Sequence, residues 1–232
     1  MPARLDHLVI AARSLDEGAR WCEATFGVAS QPGGAHPSMG THNRLMKIAS
    51  AAFPRSYLEI IAIDPKAKAR AASARGAGRH RWFDLDDADL QLALLRRGPR
   101  LVHFVAAVDH AATAQHALAS QRIDRGPLVA ASRDTAAGRL SWRITVRDDG
   151  QRLFYGALPT LIEWGPVHPC DSMAESGVGL RSLELAHPRT SDLEAALHAI
   201  DLREVPLMAG PPNLRATFDT PRGLVMLESG GI

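Results

Sequence analysis

Cysteine is scarce in this 232-residue chain: there are two, Cys22 and Cys170, far apart and without a C-x-x-C spacing. A disulfide framework or a thiolate zinc site is therefore excluded as an organising principle, and reduced thiols in a cytoplasmic setting are expected. An excess of either charge is also missing. With 27 Lys and Arg against 25 Asp and Glu, the formal net charge is +2, which builds no basic field and gives no support for a nucleic-acid partner. Long hydrophobic runs are absent as well, because charges interrupt every apolar stretch before the ~20 residues needed to cross a bilayer. The segment from Leu5 to Ala12 is too short for the apolar region of a secretion signal. These absences together predict a soluble cytoplasmic protein with no membrane partner. Aromatic residues make up only 5%, but hydrophobic residues reach 46% and charged residues 22%, the balance of a packed globular chain rather than a disordered one.

What the sequence does contain is a repeat. Leu5-Asp6-His7-Leu8-Val9-Ile10-Ala11-Ala12 and Leu101-Val102-His103-Phe104-Val105-Ala106-Ala107-Val108 share one apolar pattern with histidine in third place, and both read as buried strands. A helical pattern follows each. The first opens at Ser14-Leu15-Asp16-Glu17, runs to Phe26 and stops at Gly27; the second opens at Asp109 and runs to Ala119. Strand-like segments come next, Gly40 to Ile48 in one unit and Arg139 to Val146 in the other. Each unit then closes on a matching strand, Tyr57-Leu58-Glu59-Ile60-Ile61 and Leu161-Ile162-Glu163-Trp164, with a proline at 65 and at 169. A third, shorter copy spans Leu180 to Glu228, with Ser182 where the others carry histidine and Glu228 near the place of Glu59. Between the first two units, Lys66 to Gly98 forms an excursion that is basic first (Lys66, Lys68, Arg70, Arg75, Arg79, Arg81) and acidic later (Asp84, Asp86, Asp87, Asp89). Charge runs usually face water, so a solvated loop with a short helix is the expectation. The sharper alternative is a lid in which Trp82 and Phe83 cover a cleft.

Strand alternation puts His7 on one face with Leu5 and Val9, and Leu8 with Ile10 on the other, toward the helix. The same reasoning applied to His103, Glu59 and Glu163 gives one histidine and one glutamate per unit. Two units related by pseudo-symmetry would bring the four together. Two imidazoles and two carboxylates suit a divalent ion (Zn, Ni, Co, Mn or Fe(II)) with about two positions left for water or substrate, and such an ion acts as a Lewis acid on substrate oxygens. Taken singly, each of these residues is more often a satisfied core side chain than a ligand. Common descent of the units would also preserve the register.

Leu5-Asp6-His7-Leu8-Val9, the run Gly33-Gly34-Ala35-His36-Pro37 with Gly40-Thr41-His42-Asn43, the strand Tyr57 to Ala62, Trp82-Phe83, and Leu161-Ile162-Glu163-Trp164 with His168-Pro169 resemble the glyoxalase-like domain family of the vicinal oxygen chelate superfamily. The likeness covers nearly the whole chain. It implies an α+β fold of tandem βαβββ modules: residues 1–65 and 99–169 paired around a cleft, the 66–98 excursion between them, and a third module over 176–232. It also implies metal ligands on the first and last strands of each paired module, positions that fall on His7, Glu59, His103 and Glu163. The activity implied is that of a metal-dependent lyase or isomerase acting on a small molecule with vicinal oxygens, with Glu59 or Glu163 leaving the ion to serve as general base. His42, Asn43, Trp142 and Arg143 are candidates for holding the substrate. His36 and His168 precede prolines and read as turn-shaping residues, His110, His116 and His198 read as solvent-facing helix positions, and Cys22 as helix core.

Two rival readings remain at this level. A two-His, one-carboxylate triad would support an extradiol-type dioxygenase. A metal-free binding protein would use the same cleft to sequester an aromatic or amphipathic molecule, with Trp82, Phe83, Trp142 and Trp164 as the important side chains. Because superfamily modules work in pairs, a third module predicts an apolar face that needs a cover, supplied by a homodimer or by the excursion.

Overall fold

The computed structural model describes residues 2–67, 80–135 and 138–231. The first unit comprises β1 (Arg4–Ala11), α1 (Leu15–Phe26), β2 (Gln31–His36), β3 (Thr41–Lys47) and β4 (Tyr57–Ile63). After α2 (Ala88–Arg97), the second unit repeats the order with β5 (Arg100–Ala107), α3 (Ala111–Ser120), β6 (Leu128–Thr135), β7 (Gly138–Thr145) and β8 (Thr160–Trp164). The two units share one curled eight-stranded sheet of order β2-β3-β4-β1-β5-β8-β7-β6. At its centre β1 and β5 run antiparallel, while β4 pairs parallel with β1 and β8 parallel with β5. The arrangement is a pseudo-twofold, and it makes an α+β half-barrel with a helix-bearing outer face and a concave inner one.

Local chemistry sets the elements. Ser14 Oγ accepts the Glu17 N–H at 3.2 Å and Gly27, at φ 76°, ends α1 by donating to the Glu23 carbonyl, the N-cap and left-handed stop expected of such residues. Gly18 is where α1 touches the sheet: a Cβ there would stand 2.4 Å from Ile60 Cγ2. Period-2 alternation then divides the core. Leu8, Ile10, Leu58, Ile60, Phe104 and Leu161 pack under the helices, whereas Val9, Ala11, Ile61, Val105 and Ile162 face the concave side. Leu5 departs from the expected pattern, since it packs with Leu8 and Ile10 rather than sharing the face of His7. A register irregularity between Leu5 and His7 resets the alternation, as a β-bulge does.

The excursion also differs from expectation. Its helix is present, with Asp87 Oδ1 accepting the Leu90 N–H at 2.8 Å as N-cap. Yet Phe83, Leu85, Leu90 and Leu94 pack with Val9, Ile61, Val102 and Val105 in the concave core, so this half is not a solvated loop. Hydrophobic burial of four side chains outweighs the hydration of the intervening aspartates. The basic residues Lys68, Arg70, Arg75 and Arg79 lie outside the described residues.

The third segment comprises β9 (Gly179–Ala186), α4 (Thr190–Ala199), β10 (Leu207–Met208), β11 (Asn213–Thr220) and β12 (Gly223–Glu228). It repeats the element order but not the strand order, which is β10-β9-β11-β12. Leu183, Leu185, Leu214, Ala216 and Phe218 form its inner face and join the core under α1 and α3, where Phe218 meets Phe26 edge-on at 5.1 Å. Its outer face carries Arg181–Asp219 and Arg215–Glu228 ion pairs. The apolar face expected to need a partner subunit is thus covered within the chain. The described later half of the excursion, residues 80–98, packs on the opposite, concave side of the large sheet and does not serve as that cover.

Candidate active-site cleft

The concave face of the first unit gathers a buried polar string. The bulge at the start of β1 lets two neighbours, Asp6 and His7, both turn inward, 1% and 4% exposed. Asp6 Oδ1 accepts from His7 Nδ1 at 2.6 Å, and its Oδ2 accepts from Trp164 Nε1 at 2.8 Å and from His168 Nε2 at 2.9 Å. His168 Nδ1 accepts the Cys170 N–H at 3.1 Å, which leaves Nε2 as the protonated nitrogen. On β4, Glu59 places Oε2 3.6 Å from His7 Nε2, an ion pair longer than a hydrogen bond. Its Oε1 accepts from Asn43 Nδ2 at 2.6 Å, and Asn43 Oδ1 accepts the Gly34 N–H at 2.7 Å. Tyr57 stacks on the His7 ring at 4.5 Å.

Burial alone would drive the proton from His7, but the hydrogen bond to Asp6 and the charges of Asp6 and Glu59 prevail and raise its pKa to about 9. Asp6 and Glu59 move the other way: burial would raise both, yet His7, with His168 at Asp6 and Asn43 at Glu59, holds them below the usual carboxylate range. At neutral pH the string is therefore carboxylate, imidazolium, carboxylate, closed at one end by His168 and open at the other to a cleft. Burial also lowers the pKa of His36, only partly offset by Glu59, so a neutral imidazole stands on the cleft wall.

That cleft is lined by His7, Glu59, Asn43 and Arg133 on its polar side and by Tyr57, Trp82, Phe83, Trp142 and Trp164 on its aromatic side. Arg133 Nε has no hydrogen-bond partner. The roof is the Trp82–Phe83 turn, stacked ring on ring at 5.3 Å and tied down by Trp82 Nε1–H donating to Thr41 Oγ1 at 3.2 Å. The cavity volume is about 40 Å³, room for a few waters, so a larger ligand enters only if the roof lifts.

The proposed ligands are not all brought together. His7 and Glu59 meet, but His103 is fully buried in the second half, with Nδ1–H donating to the Gly156 carbonyl at 2.9 Å and Nε2 accepting from Thr160 N–H at 3.1 Å and Thr160 Oγ1 at 3.0 Å. Burial, with Arg125 and Arg152 adding to it, holds its pKa well below the usual histidine value. Glu163 faces the helix side, where it binds Arg143 Nη2 at 2.5 Å and accepts the Ala111 N–H at 2.7 Å, at the start of α3. The registers explain this. Val9 pairs with Glu59 in the first unit and the corresponding Val105 pairs with Thr160 in the second, so the structural counterpart of Glu59 is Thr160, three residues before the glutamate that the sequence aligns with it. Both nitrogens of His103 are engaged, and Glu163 points away. Among the described residues no group of three or more His, Cys, Asp or Glu side chains is placed to hold a metal ion, so the donor set does not fit the four-ligand centre.

Of the candidate substrate contacts, Asn43 and Trp142 line the cleft, although Asn43 is committed to Glu59. His42 alternates to the other face, in a groove with Leu15 and Lys66, and Arg143 is occupied by Glu163. Asp6, His168, Tyr57 and Arg133 are site residues that sequence reasoning passed over. Asp6 was legible as an acid inside an apolar strand. His168 does shape a turn, as expected, but its contact with Asp6 spans 162 positions and leaves no local trace.

A profile of the glyoxalase-like domain matches residues 5–200. No match was found among curated proteins. Among solved structures, a hypothetical protein from Staphylococcus aureus superposes with a TM-score of 0.57 at 14% identity, over 98% of this chain and 85% of that one. Methylmalonyl-CoA epimerase from Streptomyces coelicolor, solved in complex with 2-nitronate-propionyl-CoA, gives 0.43 at 15% identity over 72% and 99%. The Mycobacterium tuberculosis epimerase gives 0.37 at 16% identity over 73% and 92%. The profile match covers most of the sequence and leads to one assignment: the chain belongs to the glyoxalase-like domain family.

Proposed function

We propose that the protein is a metal-independent acid–base enzyme of the isomerase or lyase type, acting on a small anionic molecule with adjacent oxygens in the first-unit cleft. The observation that carries this reading is the buried Asp6–His7–Glu59 string ending at the cleft. His7 Nε2–H is a charged donor for a substrate oxygen, and Glu59 is an ionised acceptor for the proton beside it. In the resting state Glu59 is a weak base because His7 stabilises its charge. A substrate oxygen that takes the His7 hydrogen bond weakens that stabilisation and raises the basicity of Glu59, so binding and activation are coupled. Arg133, with its free Nε, supplies the counter-charge for a carboxylate. The aromatic walls exclude water and favour a compact, partly planar ligand.

The test is deuterium exchange at carbon next to oxygen, followed by NMR for small hydroxy- and oxo-acids with chelator-treated protein. Exchange is expected with the intact chain and should fall by ~10²-fold or more in Glu59→Gln, a loss typical of removing a general base. Exchange that appears only on adding a divalent ion would restore the metal-dependent reading. Tight binding without exchange, equal in Glu59→Gln, would leave a sequestering protein.

A further inference from the structure

The second half of the concave face holds a charge that the acid–base reading does not use. Arg125, in the loop between α3 and β6, is 3% exposed. Its Nη2–H donates to Thr160 Oγ1 at 2.5 Å, whereas Nε and Nη1 have no hydrogen-bond partner. The nearest acids are otherwise engaged. Asp124 Oδ1 accepts the Gly126 N–H at 2.7 Å, and Asp149 is paired with Arg147. His103, linked to Arg125 through Thr160, is neutral and brings no negative charge. Burial, then repulsion from Arg147, lowers the Arg125 pKa to about 9, which still leaves the guanidinium charged at neutral pH. Asp124 and Asp149 act on the guanidinium through their charge, but neither is hydrogen-bonded to it, and a buried cation with two idle N–H groups is costly, so native proteins pair such groups.

Arg125 lines a cavity together with Trp82, Phe83, Arg147, Gly150 and Thr160. Its volume is about 10 Å³, close to the ~10–15 Å³ that one water-sized particle requires. Sulfate, phosphate or an organic acid is too large for it. The charge demands an anion and the volume demands a single atom.

We infer that Arg125 holds a small monovalent inorganic anion, chloride in size and charge, beneath the Trp82–Phe83 turn. The ion accepts from the free N–H groups of Arg125 and neutralises the charge that faces the underside of that turn. It does not depend on the role of Glu59, and it adds an anion requirement to the segment that roofs the neighbouring cleft.

The test compares chloride with gluconate at constant ionic strength, using the full chain. An ion bound only by the folded state stabilises it by mass action. The melting temperature should rise saturably by a few degrees as chloride replaces gluconate over about 1 to about 100 mM, and Arg125→Met should abolish the rise. Equal melting in the two salts, or an equal rise in Arg125→Met, would overturn the inference and leave water beside the guanidinium. Should that variant fail to fold, bromide-soaked crystals of the unmodified chain decide: an anomalous peak within hydrogen-bond distance of Arg125 Nε and Nη1 is expected, and its absence refutes the site.

Discussion

His7 and His103 occupy equivalent places in the two units, yet their surroundings drive them to opposite protonation states. Two carboxylates face His7, whereas His103 meets a threonine, a carbonyl and two arginines. For His7 the folded pKa is above the unfolded value of 6.5, at about 9, so its contribution to stability is complete below pH 6.5 and lost as the pH rises through 9. The shift corresponds to roughly 3 kcal/mol. For His103 the folded pKa lies well below 6.5, so its contribution is present above that pH and lost on acidification. At pH 7, nitrogen-detected NMR should show His7 as an imidazolium and His103 as the neutral tautomer protonated at Nδ1. Urea unfolding between pH 6.5 and 9 should lose stability in the intact chain and lose much less of it in His7→Ala. A neutral His7 at pH 7 would remove the charged donor from the proposed reaction.

At the scale of elements, the decisive piece is the turn that roofs the cleft. Phe83 and Asp84 sit at φ 60° and 56°, a left-handed pair that non-glycine residues adopt only when held. Two contacts hold it: Asp84 N–H donates to the Gly150 carbonyl at 3.0 Å, and Arg152 Nε donates to Asp84 Oδ2 at 2.8 Å. Gly150 lies so close that a Cβ would stand 2.1 Å from the Arg81 carbonyl oxygen. Gly150→Ala should therefore push the turn off the cleft, costing about 1–3 kcal/mol and shifting Trp82 fluorescence to the red as its ring meets water. An unchanged emission maximum would show that the roof does not depend on this clamp. The sequence disclosed a short helix somewhere in the excursion, and it named Trp82 and Phe83 as a possible lid. It gave no sign that Leu85, Leu90 and Leu94 pack inward, because the charges around them mask a short apolar face.

For the whole molecule, the four-stranded sheet of the third segment acts as a lid on the helix-bearing side of the other two units. Phe218 is fully buried against Phe26, so Phe218→Ala should lower unfolding stability by about 3–5 kcal/mol, the usual cost of deleting a core phenylalanine. Denaturant melts measure it, and they should show one transition if all three units share a core. A separate early transition in the intact chain would mean that the third segment folds on its own.

The repeat, the βαβ order of each unit, the caps of α1 and the inward place of His7 and Glu59 were determined by the sequence alone. Each rests on local chemistry: side-chain alternation, an N-cap hydroxyl, a glycine stop. Family likeness extended this to a cleft shared by two units. Only the tertiary structure decided which residue answers Glu59 in the second unit, because parallel pairing of β5 with β8 starts three residues earlier than apolar matching suggests and puts Thr160, not Glu163, beside His103. It likewise decided that Asp6 turns inward with His7, through a bulge that alternation cannot foresee, and that His168 reaches Asp6 and Arg125 reaches Thr160 from loops remote in sequence. Register, bulges and loop closure are settled by how strands pair across the sheet, and a one-residue slip moves a side chain from core to cleft.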